Sequence, residues 1–242
     1  MNEDEIIAKI VNWLIKQIEK TGMKGFTLGL SGGLDSAVTA ALCKRTGYHT
    51  LGLIMPCHSP PETVENALKF AEKISLDYKI IDLTELYDRL LQLYKTHLQP
   101  TNLNAEANIK PRLRMTTLYY VANNLSFLVV GTGNYTELKL GYFTKYGDGG
   151  VDLLPLGDLV KGEVRRIARV LEIPKEIINR APSADLYEGQ TDEGELGVKY
   201  EILDRIVRGD FYNIPVETVD KIMNRIKNNT HKRRMPPICK IH

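Results

Sequence analysis

The chain has 242 residues, with 32 Lys and Arg against 30 Asp and Glu, a formal net charge of +2 with both signs mixed along its length. That balance gives no ground for a nucleic acid or a membrane surface as partner, and no apolar run approaches the length of a membrane span. Cys43, Cys57 and Cys239 form no Cys-x-x-Cys pair and no ligand spacing with histidine, and the start Met1-Asn2-Glu3-Asp4-Glu5 is acidic where a signal peptide is basic; zinc and secretion are disfavoured, and a cytoplasmic location is expected.

Ile6, Ile10, Leu14 and Ile18 recur at helical spacing, predicting an amphipathic helix over 3–20 that Gly22 and Gly25 end. A strand over 26–30 leads into Ser31-Gly32-Gly33-Leu34-Asp35-Ser36 and then an alanine-rich helix over 35–45, closed by Gly47. Adjacent glycines allow positive φ and leave no side chains in the way, so successive N–H groups and a helix N-terminus can converge on one anion. No Gly-Lys-Ser/Thr follows, so this phosphate cradle is not a Walker loop, and it is not a Gly-x-Gly-x-x-Gly turn. The plain alternative is a strand-to-helix turn in which Ser31 or Asp35 serves only as a cap.

A second strand over 50–55 stops at Pro56, and Ser59-Pro60-Pro61-Glu62 opens a helix running to about 75. A strand over 78–82 and a helix over 84–95 follow. From 96 to 107 the pattern lapses into a polar stretch with Pro100, Asn102 and Asn104, read as a mobile connection. A helix over 108–124 carries Arg112, a fourth strand covers 127–130, and Gly131-Thr132-Gly133-Asn134 forms a second glycine turn. Residues 141–152, glycine-rich yet holding Lys145, Asp148 and Asp152, read as a binding loop. Helices over 158–172, 175–180, 195–208 and 216–227 complete the chain, with a loop over 181–194 and a basic tail, 228–242, expected to be flexible and to order only against an anion.

This alternation predicts one domain over 1–242, an α/β fold with a parallel sheet covered by helices on both faces. Ligands in such sheets bind beyond the carboxyl ends of the strands, so both glycine turns should face one crevice. The segments 96–107, 181–194 and the tail are the expected lids.

The Ser31 to Ser36 loop resembles that of the N-type ATP pyrophosphatases, a group that includes the synthetases of NAD, GMP, asparagine and argininosuccinate and enzymes that thiolate tRNA. Gly131-Thr132 with Glu137, Phe143 to Gly150 with Asp152, Lys161, Pro182-Ser183-Ala184-Asp185 and His231-Lys232 are similar to the NAD synthetases specifically, over about 25–234. The resemblance implies an adenine nucleotide alpha hydrolase-like fold with a doubly wound, five-stranded parallel sheet. It also implies a homodimer with the dinucleotide at the subunit interface. The reaction implied is amidation of nicotinate adenine dinucleotide (deamido-NAD) with ammonia and ATP, through an acyl adenylate, to NAD, AMP and pyrophosphate. Gly29, Leu30, Ser31, Gly32, Gly33, Leu34, Asp35, Ser36, Thr132, Lys161 and Ser183 are implied as ATP contacts. Arg112, Lys145, Asp152, His231 and Lys232 are implied as deamido-NAD contacts, and Asp35 with Glu137 as ligands of Mg2+. Only the helix predicted over 3–20 precedes the loop, so free ammonia is the expected nitrogen donor, from solution or from a separate glutaminase subunit.

Such a reaction needs no protein nucleophile, so catalysis should be positioning and charge neutralisation. Asp35 beside polyphosphate makes sense only with a cation between them, and magnesium fits. Asp35, Lys161 and Asp148 are the expected catalytic groups, Asp148 either taking a proton from ammonium or merely shaping a turn. Two rival readings remain at this point. A tRNA sulfur-transfer enzyme could use Cys57, although no second cysteine stands at suitable spacing; a non-catalytic nucleotide-binding module would have no need of Asp35, Glu137 and Lys161 together.

Overall fold

The computed structural model describes residues 1–98, 102–183 and 189–241. Helix α1 (Glu3–Thr21) starts on a reciprocal cap, Glu5 N donating to Asn2 Oδ1 at 2.8 Å and Asn2 N to Glu5 Oε2 at 3.0 Å, and buries Ile7, Leu14 and Ile18. Four strands alternate with helices: β1 (Gly25–Gly29), α2 (Leu34–Lys44), β2 (His49–Ile54), α3 (Pro61–Lys73), β3 (Asp77–Ile80), α4 (Thr84–His97), α5 (Leu103–Ala107), α6 (Ile109–Leu125) and β4 (Phe127–Val129). The carboxyl-terminal part is helical: α7 (Tyr135–Leu140), α8 (Lys161–Val170), α9 (Lys175–Asn179), α10 (Asp192–Leu196), α11 (Tyr200–Val207) and α12 (Val216–Asn228). No helix among the described residues is long and apolar enough to cross a membrane.

All strand pairs are parallel, in the order β3-β2-β1-β4. Apolar side chains of α1, α2, α3, α8 and α9 form one core against the sheet, and those of α4 and α6 form a second on its other face. The central strand β1 is buried almost throughout, whereas the edge strand β3 carries Asp77 and Lys79 and is largely exposed, the charged edge expected of a strand with one open side. A third apolar cluster joins α7, α10, α11 and α12 beyond the carboxyl ends of the strands.

Among the described residues the sheet has four strands rather than five. Where a fifth would lie, Leu153 forms one isolated parallel bridge with Val130, Gly131 N donating to Leu153 O at 2.8 Å. Pro155 follows two residues later without an N–H to extend the ladder, and the chain turns, Gly157 N donating to Leu154 O at 3.0 Å.

Three other expectations also change. The polar stretch 96–107 contains α5, which Asn102 caps by accepting Asn104 N at 2.9 Å; Pro100 lies outside the described residues. The single helix expected over 195–208 is two, because Gly197 takes φ 69° and closes α10. The tail, expected to wait for an anion, folds back onto the chain in its first part: after the 3-10 turn Thr230–Lys232, Arg233 donates to the carbonyls of Lys139 at 2.6 Å and Ile226 at 2.8 Å. Those carbonyls stand near the end of α7 and within α12, where a guanidinium satisfies backbone acceptors.

Candidate active site

The carboxyl ends of β1, β2 and β4 open into a cleft of about 610 Å³. Its floor begins at the Ser31 to Ser36 loop. Gly32 takes φ 73°, and a Cβ there would stand 2.3 Å from the Thr63 carbonyl of α3, so only glycine fits this turn. The serine hydroxyls brace the loop: Ser31 Oγ donates to Ser36 Oγ at 3.0 Å, and Ser36 Oγ donates to Gly33 O at 2.9 Å. Gly33 heads α2 without a side-chain cap, which leaves the amides of the first turn open to an anion.

Across the cleft, Asn134 caps α7 by accepting Glu137 N at 3.0 Å, while Glu137 Oε2 accepts Asn134 N at 3.2 Å. The Asn134 amide also donates to Asp35 Oδ1 at 3.2 Å, tying the second glycine turn to the first. Lys161, the first residue of α8, is 3% exposed. Its ammonium donates to Asp35 Oδ2 and, at 3.3 Å, to Glu137 Oε1, and lies 5.2 Å from the centre of the Tyr200 ring. Burial pulls the Lys161 ammonium towards neutrality, but Asp35 and Glu137 outweigh it and hold the cation above its ordinary range. For Glu137 burial wins: helped by Asp35 and Asp192 and opposed by Lys161, it pushes the carboxyl up to about 8.

A ring of polar groups missed in the sequence surrounds this centre. Tyr200 donates to Asp192 Oδ2 at 2.8 Å, while Asp192 Oδ1, buried at the cleft wall, has no hydrogen-bond partner among the described residues. Tyr142 and Gln190 both donate to Glu195 Oε2, at 2.8 and 3.0 Å, and the Arg225 guanidinium lies 5.5 Å from the Tyr142 ring centre, its buried Nε without a hydrogen-bond partner among the described residues. Asn134 was readable, since Asn followed three residues later by Glu is a capping-box pattern. The others were not: Asp192 falls in the loop expected over 181–194 and Tyr200 in the helix expected over 195–208, and only the packing of α10 and α11 turns them to the cleft.

Of the ATP contacts implied by the resemblance, Gly29, Leu30, Ser31, Gly33, Leu34, Asp35, Ser36, Thr132, Lys161 and Ser183 line the cleft, while Gly32 turns away from it. Ala184 and Asp185 lie outside the described residues. Asp148 lines the cleft and accepts Thr144 N at 2.8 Å, so it does shape the turn, and burial pushes its carboxyl upward. Lys232 lines the cleft and donates to the carbonyls of Gly141 and Phe143, both at 2.8 Å; burial lowers its ammonium, as does nearby Arg225.

The other implied dinucleotide contacts are not gathered in this cleft. Arg112 donates to Lys145 O at 3.4 Å and Lys145 Nζ to His231 O at 3.0 Å, a basic cluster on the outer rim. Asp152, exposed, ties the end of β4 to α6, accepting Val129 N at 2.8 Å and the Tyr119 hydroxyl at 3.0 Å. Cys57, the group a sulfur-transfer enzyme would need, is buried with its Sγ 3.9 Å from Leu83 O, and burial pushes the thiol away from the reactive thiolate.

Asp35 and Glu137 offer hard oxygen donors to a magnesium ion. Among the described residues no cluster of three or more His, Cys, Asp or Glu could hold a metal unaided. Two carboxylates suit an ion that draws its remaining ligands from phosphate and water.

Strand order reverses between β1 and β4, and both glycine turns open at that switch point with a buried lysine between two carboxylates beside them. Such a sheet and site define an α/β nucleotide-binding enzyme with the phosphate loop of the ATP pyrophosphatases. The family model for NAD synthase matches residues 6–236. The NH(3)-dependent NAD(+) synthetase of Carboxydothermus hydrogenoformans is 49% identical over 98% of this chain and 98% of its own. Among solved structures, the NMN synthetase of Francisella tularensis superposes with a TM-score of 0.94 at 35% identity, covering 100% of both chains. The NH3-dependent NAD synthetase of Campylobacter jejuni does so with 0.84 at 29%, covering 99% of this chain and 100% of its own. The chain belongs to the NAD synthase family, a family of ligases.

Proposed function

We propose that this chain makes NAD from nicotinate adenine dinucleotide, ATP and ammonia. The observation that carries the reading is the phosphate loop facing the Lys161, Asp35 and Glu137 constellation within one cleft. In the first step a pyridine carboxylate oxygen bonds to the α phosphorus of ATP, and the bond from that phosphorus to the bridging oxygen breaks, releasing pyrophosphate. The amides at the head of α2 and the hydroxyls of Ser31 and Ser36 hold the departing group, and Thr132 and Ser183 supply further contacts at the cleft wall. Lys161, kept charged by its carboxylates, neutralises charge that grows on the phosphates. Asp35 and Glu137 would hold Mg2+, which when bound supplies the same neutralisation.

In the second step ammonia bonds to the acyl carbon, the new nitrogen releases one proton to solvent, and AMP leaves with the electrons of the broken carbon–oxygen bond. Ammonium must first lose a proton, and Asp148 accepts it in this reading, which its place in the cleft lining and a carboxyl pushed upward by burial support. Lys232 contacts the dinucleotide from within the cleft; Arg112, Lys145, Asp152 and His231 contact it where a second subunit completes the site. A homodimer is supported by the position of the Arg112, Lys145 and His231 cluster outside the cleft, and by exposed Leu86, Leu93 and Tyr120 on α4 and α6. Free thiols at Cys43, Cys57 and Cys239 support a reducing, cytoplasmic setting.

The relative from Francisella tularensis favours a second reading, the same chemistry on the acid mononucleotide. One assay separates the two: AMP and pyrophosphate release is followed with ammonium, ATP and Mg2+ on nicotinate adenine dinucleotide and on nicotinate mononucleotide. A larger kcat/KM on the dinucleotide is expected. A larger one on the mononucleotide replaces the first reading with the second, and no turnover on either sinks both.

A further inference from the structure

Val160, at the head of α8, has no side-chain oxygen with which to accept the free amides of the helix's first turn. Another element accepts them. Asp204 of α11 takes Gly162 N at 2.8 Å on Oδ2 and Lys161 N at 3.3 Å on Oδ1. The same Oδ1 accepts the hydroxyl of Thr136 at 2.6 Å, and Thr136 is fully buried in the first turn of α7, next to Glu137. Gly162 leaves the room for this approach, since a Cβ there would stand 3.2 Å from Asp204 Oδ2.

One carboxylate therefore fastens together the two helix starts that present Lys161 and Glu137 to the cleft. Asp204 is not part of the cleft lining, so it reaches the chemistry only through its neighbours. We propose that Asp204 is a positioning residue of the reaction, holding the Lys161 ammonium and the Glu137 carboxyl group in register before substrates arrive. The proposal rests on the roles given to Lys161 and Glu137 above. Three donors converge on Asp204, and an asparagine cannot serve all three, because its amide nitrogen would face one of them donor to donor. Thr136 and Gly162 have no other evident reason to approach this side chain, and a cap supplied across elements fixes α8 against α7 rather than merely ending a helix.

The test uses the full chain with Asp204→Asn, Thr136→Val and Lys161→Met, each checked for fold by thermal melting. Asp204→Asn should lower kcat by about 10–100-fold, the usual cost of losing a group that orients a working ligand, with KM for ATP changing less than about threefold. Thr136→Val should act in the same direction and less strongly. In the Lys161→Met background, Asp204→Asn should add little, because the group it positions is already gone. Wild-type kcat in a folded Asp204→Asn protein, or a loss that multiplies fully with that of Lys161→Met, overturns the proposal while leaving the role of Lys161 standing. Wild-type kcat in Lys161→Met overturns that role first and the proposal with it. Should Asp204→Asn fail to fold, Thr136→Val decides: a lowered kcat at an unchanged melting temperature supports positioning, and a wild-type kcat overturns it.

Discussion

At the scale of single residues, the buried contact between Lys161 and Asp35 changes what a substitution there should do. From the sequence, Asp35→Ala reads as a purely catalytic loss in an intact fold. In the structure the side chains of Lys161 and Asp35 are 4% and 15% exposed, so removing Asp35 strips a buried ammonium of its nearest counter-charge. Breaking such a pair costs about 3–5 kcal/mol, so Asp35→Ala should lower the melting temperature as well as abolish turnover, whereas Asp35→Asn should keep more of the stability. Melting curves beside activity assays check this. Glu137 gives a pH prediction. Its carboxyl sits at about 8 against an ordinary 4.5, so the protonated form is favoured in the fold. The stability that this contributes is complete below the unfolded value and is lost as pH rises through the folded one. Unfolding free energy in the absence of Mg2+ should therefore fall between about pH 5 and 8, and Glu137→Gln should flatten that slope. Because magnesium must displace the proton, the Mg2+ concentration for half-maximal activity should fall by up to tenfold per pH unit on the way to 8, and level off above it.

At the scale of elements, the phosphate loop was legible because glycine pairs between an apolar strand and a small-residue helix have few other uses. Its conformation supplies one detail that can be tested. Gly32→Ala would force a Cβ onto the Thr63 carbonyl at 2.3 Å from a φ of 73°, a backbone clash that rotamer change cannot relieve. It should raise KM for ATP by more than about tenfold, with a loss of stability of about 1–3 kcal/mol, measured by nucleotide titration and denaturant melts. The first half of the chain was readable from strand and helix periods, since each element there packs on the sheet. In the second half the helices expected over 158–172, 175–180 and 216–227 correspond to α8, α9 and α12, but the short helices α7 and α10 were not readable. A six-residue helix such as α7 is held by the Asn134 cap and the Asp204 contact, and α10 parts from α11 at one glycine, so tertiary partners rather than period decide these elements. The tail misled for a related reason. Its charges look solvated, yet Lys232 and Arg233 spend their donors on backbone carbonyls. Lys232→Met should consequently loosen residues 141–148 and raise KM for the dinucleotide more than KM for ATP, a split that steady-state kinetics can read.

At the scale of the whole molecule, motifs scattered from Gly29 to Lys232 gave the chemistry because the switch in strand order gathers them, and no local pattern could have shown which would share a cleft. Arg112, Lys145 and His231 stand on the rim for a reason no single chain's sequence displays: their counterpart is proposed to be another copy. Sedimentation should show a dimer, and Leu93→Glu on the exposed face of α4 should convert it to a monomer with a weakened affinity for the dinucleotide. The path of the chain has a further consequence for how the molecule is made. Synthesis delivers the phosphate loop early, but Lys232, which closes the 141–148 loop from the cleft side, is made long after it. A nascent copy that stalls short of Thr230 therefore leaves the ribosome with a place for phosphate and an unfinished room around it.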